Sequence, residues 1–397
     1  MTAGPAPRFL DRATPPHIAT LISVSGLGAL NVSIFLPSLD RMAADLGTDY
    51  AVMQLAVSGY LATTAVLQIL LGAAADRFGR RPVMLGALAV FVAATLGILW
   101  TTTAWTFLVL RMVQGVAVAG IVLSRAVVRD MVGQAEAASR IGYVTMGMAL
   151  VPMLGPVAGG ALDEGFGWRA SFGLLAGLGL ATLALVALDQ GETARAGGQG
   201  LRLQLRQWPA LLGSRAFWGY TLCAAFASGA FFALLGGASF VAGTVFGLSP
   251  VWTGLALGTP AVGYVLGNFL SGRLSARIGT DRMAAAGCAI ATFGMTASLL
   301  VTLAGWPSPW VFFGFCAALG LGNGLTLPNA LAGAVSVRPD LAGAASGLSG
   351  AIMTAGGAIL AALAGTLLTG SAGLWLLQAL MAAVSALAGA ALLLVRR

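Results

Sequence analysis

The sequence predicts an all-α integral membrane protein of twelve transmembrane helices in two pseudo-symmetric six-helix halves. Three observations carry that prediction: a very low charge content, apolar runs of membrane-spanning length along the whole chain, and a short motif that occurs once in each half. Of 397 residues, 58% are hydrophobic and only 9% charged, against roughly 25% charged residues in soluble domains. About 20 apolar residues in a helix cross a hydrocarbon core of roughly 30 Å. Such runs fall at 17–39, 51–74, 83–100, 105–128, 140–162, 169–188, 215–245, 251–272, 283–304, 309–335, 342–368 and 373–395.

Taken in order, residues 1–16 carry Arg8 and Arg12 but no small-residue cleavage signal, and read as a cytoplasmic tail rather than a cleaved leader. Residues 17–188 form the N-terminal half and 215–395 the C-terminal half. Between them, 189–214 is the one long polar interruption, rich in Gly, Gln and Arg, and reads as a cytoplasmic linker; 396–397 is a cytoplasmic end. The halves are related by repetition: Gly72, Arg77 and Gly79 after the second span recur as Gly272, Arg277 and Gly279 after the eighth, with Ala276 in place of Asp76. Such halves should enclose a central cavity.

Arginine placement sets orientation, because short translocated loops avoid positive charge. Every basic side chain apart from His17 is an arginine, and 18 of the 21 lie on the side that holds both termini. Arg41 and Arg169 fall on the other side beside Asp40, Asp45, Asp49, Asp163 and Glu164, while Arg111 lies inside the fourth span. Both termini are therefore expected in the cytoplasm. A net charge of +8 distributed this way makes no nucleic-acid face. A chain without lysine has no Walker A lysine and no Schiff-base lysine, and HExxH and GxSxG are absent, so neither ATP-driven pumping nor enzymatic turnover is expected. Cys223, Cys288 and Cys316 stand singly inside apolar spans and read as packing residues; no metal or cofactor is expected. The Ala, Gly and Arg content points to a GC-rich bacterial genome, and so to an inner membrane.

Three motifs carry chemistry. Gly72-Ala-Ala-Ala-Asp76-Arg77-Phe-Gly79-Arg80-Arg81-Pro82 puts one carboxylate among three guanidinia at a helix end, with glycines that permit a tight turn. A loop that only fixes orientation would account for the arginines but not for Asp76. In the fourth span Arg111 and Gln114 lie one helical turn apart, and Gly115 opens a small-residue stripe. Charge inside a span usually marks a pathway, although an arginine can also snorkel to an interface. In the fifth span Gly147 is followed by Gly155-Pro156-Val-Ala-Gly159-Gly160, where the glycines permit close helix packing and Pro156 a bend. Gly320-Leu-Gly322-Asn-Gly324 lacks the preceding strand of a dinucleotide site and reads as helix packing.

These motifs resemble the major facilitator superfamily: its loop 2-3 signature, its Arg-x-x-Gln-Gly motif and its antiporter motif. With Leu36-Pro37-Ser38-Leu39, Arg125-Ala-Val-Val-Arg129-Asp130, Gly167-Trp168-Arg169 and Leu327-Pro328-Asn329-Ala330, nearly the whole chain resembles the Bcr/CflA drug exporters, which include chloramphenicol and florfenicol exporters. The resemblance implies a gate in which Asp76 and Arg77, Arg80 or Arg81 form ion pairs at the cytoplasmic helix ends, with Asp130 as a partner. It further implies proton coupling through Arg111, Gln114 and Gly115, and a seal formed by Gly147, Gly155, Pro156, Gly159 and Gly160. The implied activity is alternating-access export of small lipophilic drugs in exchange for protons, by a monomer in a lipid bilayer. A metabolite or amino-acid transporter of the same fold, with or without proton coupling, is the alternative.

One departure from the family bears on coupling. Where its members commonly carry an acid in the first span, this chain has Ser33, and its thirteen acids lie near or outside the span ends. Asp40, Asp76 and His17 are the candidate replacements. For a substrate cavity the aromatic and polar candidates are Asn31, Ser33, Phe35, Tyr60, Tyr220, Phe226, Phe231 and Asn323.

Overall fold

A computed structural model describes residues 8–131, 151, 154–194, 208–338, 341–368 and 373–395. Among these residues the regular structure is entirely helical. We number the rods α1 (Ile18–Asp45, broken by a 3-10 turn at Leu36–Ser38), α2 (Tyr50–Phe78), α3 (Arg80–Leu99), α4 (Ala104–Val128, helical on to Met131) and α5 (described at 154–166). The series continues with α6 (Arg169–Asp189), α7 (Arg215–Val245), α8 (Pro250–Ile278), α9 (Thr280–Leu303), α10 (Pro309–Ser336), α11 (Ala342–Leu367) and α12 (Gly373–Ala391). Ten helices among the described residues are long and apolar enough to cross a membrane. Their outer faces expose Val66, Leu70, Val109, Phe293 and Leu300, as helices bathed in lipid do. Trp100, Trp105, Trp306 and Trp310 are exposed at the ends of α3, α4, α9 and α10 away from the termini, where indoles mark a headgroup level.

The sequence repeat is a repeat of backbone. Gly79 ends α2 at φ 99° and ψ 155°, and Gly279 ends α8 at φ 92° and ψ 147°, a region essentially reserved for glycine. Each closes its helix by donating its N–H to the carbonyl oxygen four residues back, that of Ala75 or Ser275, and each starts the next helix at once. Close approach is used elsewhere: Gly320 and Gly324 of α10 lie flush against the carbonyls of Pro260 and Tyr264 in α8, and Thr259 Oγ1 donates to Phe313 O at 2.7 Å. The Gly320–Gly324 run thus packs helices.

The two arginines on the side away from the termini are both paired. Arg169 reaches Asp45 at 2.6 Å and stacks on Trp168, and Arg41 reaches Asp163 at 3.5 Å. At the other end, the expected tail and linker are tied together by a buried carboxylate. Asp189 accepts from the backbone N–H of Leu10 at 2.6 Å, that of His17 at 2.8 Å and the Thr20 hydroxyl at 2.6 Å, and Gly191 N donates to Thr14 O. His17 caps α1, its Nδ1 accepting from Ala19 N. Residues 195–207 of the linker lie outside the described residues.

Candidate functional site

The Arg111 cluster is built from the first four helices. α4 tightens from α to 3-10 geometry at Gln114–Ala117, directly after Arg111. The guanidinium is wholly buried. Its Nε donates to Ala56 O at 3.3 Å, Nη1 to Asn31 Oδ1 at 2.7 Å and to Gln114 Oε1 at 2.8 Å, and Nη2 to Asn31 O at 2.7 Å. Its Cζ lies over the rings of Phe35 and Tyr60, 4.4 and 4.1 Å from their centroids. A second tier fixes the acceptors: Asn31 Nδ2 donates to Tyr60 OH at 3.1 Å, and Gln114 Nε2 to Thr95 Oγ1 at 2.7 Å. Burying a charge costs several kcal/mol unless hydrogen bonds replace its water. Carbonyl oxygens and aromatic faces do so here: the four acceptors are Ala56 O, Asn31 O, Asn31 Oδ1 and Gln114 Oε1, all neutral. Arg111 therefore stays inside the bundle rather than snorkelling to an interface.

Of the substrate candidates, Asn31, Phe35 and Tyr60 thus stand together around Arg111. Ser33 is buried with an unpartnered hydroxyl, facing Gly155 of α5. The structure does not bring Tyr220 to this cluster: its hydroxyl donates to Asp281 Oδ1 at 2.7 Å and its ring lies against Gly333, which ties α7 to α9 and α10. Phe226 packs against the core of the C-terminal half and, with Phe231, against the larger core that both halves share, and Asn323 is buried in α10.

The loop motif joins three helix ends within the N-terminal half. Arg80 Nη1 meets Asp76 Oδ1 at 2.5 Å across Gly79, and Arg80 Nε meets Asp130 Oδ2 at 3.1 Å at the end of α4. Arg81 instead donates to Ala187 O of α6 at 2.9 Å, and Arg77 lies over the ring of Phe78. A residue without a sequence signal completes the arrangement. Glu192, at the start of the linker, accepts from the N–H groups of Arg80 at 2.8 Å and Arg81 at 3.2 Å, and so caps α3 against Gly79. Gly72 is spacious by comparison, with Val122 of α4 as its nearest neighbour.

The fifth-span motif packs by backbone contact. Gly155 and Gly159 lie against Ser33 and Ile34 O of α1, while Gly160 lies against Pro250 O of α8; Gly254 of α8 lies in turn against Pro156 O. The motif thus joins the halves at the end remote from the termini. Gly147 lies outside the described residues. Gly115 faces Thr63, Thr64 and Leu67 of α2. Cys223 and Cys288, isolated in sequence, have sulfurs 3.8 Å apart between α7 and α9.

Comparison with known proteins agrees with this architecture. The chain is 28% identical over 376 residues to multidrug resistance protein D of Escherichia coli, covering 91% of each. It is 33% identical over 272 residues to a chloramphenicol resistance protein of Pseudomonas aeruginosa, covering 67% of this chain and 64% of the relative. It is also 29% identical to a bicyclomycin resistance protein homolog of Haemophilus influenzae, covering 89% of each. Among solved structures it superposes on a bacterial homolog of the human lysosomal transporter Spinster with a TM-score of 0.70 at 17% identity, over 95% of this chain and 93% of the other. The xylose transporter XylE from E. coli gives 0.69 at 14%, over 94% and 96%. The family model of the Major Facilitator Superfamily matches residues 21–359, and the chain belongs to that superfamily of membrane transporters.

Proposed function

We propose that this chain exports small, largely uncharged lipophilic antibiotics, amphenicol-like compounds first among them, across a bacterial inner membrane in exchange for protons. Its two halves rock about a central site in alternating access. Arg111 is the observation that carries the reading. A cation fixed by neutral acceptors makes the middle of the N-terminal half positive. Solutes offering hydroxyl, nitro or carbonyl oxygens are compatible with that field, whereas a cationic drug is repelled. The relatives named for multidrug, chloramphenicol and bicyclomycin resistance support the substrate class.

The remaining parts follow from placement. The sorting of the arginines supports cytoplasmic termini. On that reading the Asp76–Arg80–Asp130 cluster is the cytoplasmic gate, and the Gly155-Pro156…Gly160 motif seals the periplasmic side of a monomer. Ser33 stands where a proton-carrying acid is common, so proton carriage falls to acids at the span ends, Asp40 and Asp76, with Arg111 and Gln114 setting the field between them.

The test is accumulation of labelled chloramphenicol or florfenicol in inverted vesicles with and without an inside-acidic gradient. Gradient-dependent accumulation that disappears in Arg111→Ala supports proton-coupled export. Absence of accumulation with correctly inserted protein moves the assignment to a metabolite or amino-acid substrate; accumulation indifferent to the gradient removes the coupling.

A further inference from the structure

One buried polar side chain crosses from the N-terminal half into the C-terminal half. Gln54 of α2 is only 2% exposed, and its Nε2 donates to Ala361 O of α11 at 2.5 Å. Its amide lies between two glycines of the opposite half. A methyl group on Gly236 of α7 would stand 2.6 Å from Gln54 Nε2, and one on Gly365 of α11 would stand 2.6 Å from Gln54 Oε1. One turn away, Tyr50 donates its hydroxyl to Gly236 O at 3.0 Å. Farther along the same seam Ser239 of α7 donates to Leu36 O of α1. These contacts lie toward the ends of α2, α7 and α11 remote from the termini, on the side where α5 meets α8.

We propose that Gln54 is the positioning residue of the seal opposite the termini, an amide key in a two-glycine socket that sets how long that side stays closed. The inference rests on the alternating-access reading, in which this seam must part in every cycle. The chemistry suits a seal that opens. An amide satisfied across the seam exchanges its bonds for water at small net free energy, whereas a large apolar side chain in the same socket would resist separation by its full burial. The glycines are the complement, since any side chain there occupies the space of the amide. Gly365 is the cleaner of the two: the three nearest atoms a methyl would meet all belong to Gln54, the movable partner.

A single cysteine at Ser239→Cys, with Cys223, Cys288 and Cys316 replaced by alanine, reports opening through its labelling rate with a membrane-impermeant maleimide applied to whole cells. Gln54→Ala should raise that rate by about two- to tenfold, the range spanned by one lost hydrogen bond. Gly365→Ala, which evicts the amide without removing it, should raise it similarly at an unchanged amount of inserted protein. Unchanged labelling in Gly365→Ala, or in both variants, overturns the proposal. The labelling needs no substrate: a parent protein that fails to move any drug sinks the substrate assignment alone, while normal drug export with unchanged labelling sinks the key alone.

Discussion

The turn after α2 and the turn after α8 have the same backbone and different chemistry. Gly79 and Gly279 sit within 10° of one another in both φ and ψ. Around Gly79, however, Asp76, Arg80 and Asp130 form a connected set of charges, and Glu192 accepts from the backbone N–H groups that start the next helix. Around Gly279 the corresponding positions are Ala276 and Thr280, the space beside the glycine is open, and Asp281 is engaged by Tyr220 within its own half. The comparison separates two properties that sequence motifs merge. The glycine makes a helix reverse in one residue, a requirement of the fold that both halves share. The charges join helix ends, and only the N-terminal half has the Asp76–Arg80–Asp130 set.

The largest effect should come from breaking the backbone where it is also loaded with charge. Gly79→Ala forces a side chain into a conformation that costs about 1–3 kcal/mol and drives the new methyl into the Glu192 carboxylate. Gly279→Ala carries the strain alone. Measured as drug accumulation per inserted protein, Gly79→Ala should lose clearly more than Gly279→Ala. Equal losses would mean that the charges above Gly79 add nothing to the turn.

A middle-sized effect is expected from the ion pairs. Arg80 and its two carboxylates are largely shielded, and a charge-assisted hydrogen bond of that kind contributes about 1.5–3 kcal/mol. Asp130→Arg and Arg80→Asp should each reduce transport by roughly tenfold or more, and the double swap should recover a measurable part. Ala276→Asp, which places the missing acid on the C-terminal copy, should leave transport near the parent level. Failure of the swap to recover any activity would remove the pairing from the mechanism, and a strong effect of Ala276→Asp would show that the second turn is not chemically silent.

Much of this was legible in the sequence because lipid imposes strict rules. Apolar runs give the spans, and the repeated Gly-x-x-x-x-Arg-x-Gly marks the paired turns. Arg111 and Gln114 were readable as a site because charge within a span needs a reason. What the guanidinium touches was not readable: Asn31, Phe35, Tyr60 and Ala56 come from spans one and two and meet it only through packing. Tyr220 shows the converse, since an aromatic in a span looks the same whether it faces a cavity or, as here, an aspartate at a helix end. Gln54, Asp189 and Glu192 carried no signal, because each acts on backbone groups of residues far away in the chain, and a backbone partner leaves no pattern in side-chain identity.

The smallest expected effect distinguishes a cap from a charge relay in the N-terminal turn. Glu192 accepts from two backbone N–H groups and also from those of Thr193 and Ala194 at 3.0 and 2.9 Å. Glu192→Gln keeps a side-chain oxygen for the helix end and loses only the negative charge, so it should reduce transport by about two- to fivefold at most, the scale of an exposed helix-end charge. Glu192→Ala removes the acceptor as well and should lose more, because a missing cap costs about 1 kcal/mol. If instead Glu192→Gln is as damaging as Glu192→Ala, the negative charge is what matters there. Glu192 then belongs with Asp76 and Asp130 among the acids that balance Arg80 and Arg81, and the contrast between the two turns widens by one residue.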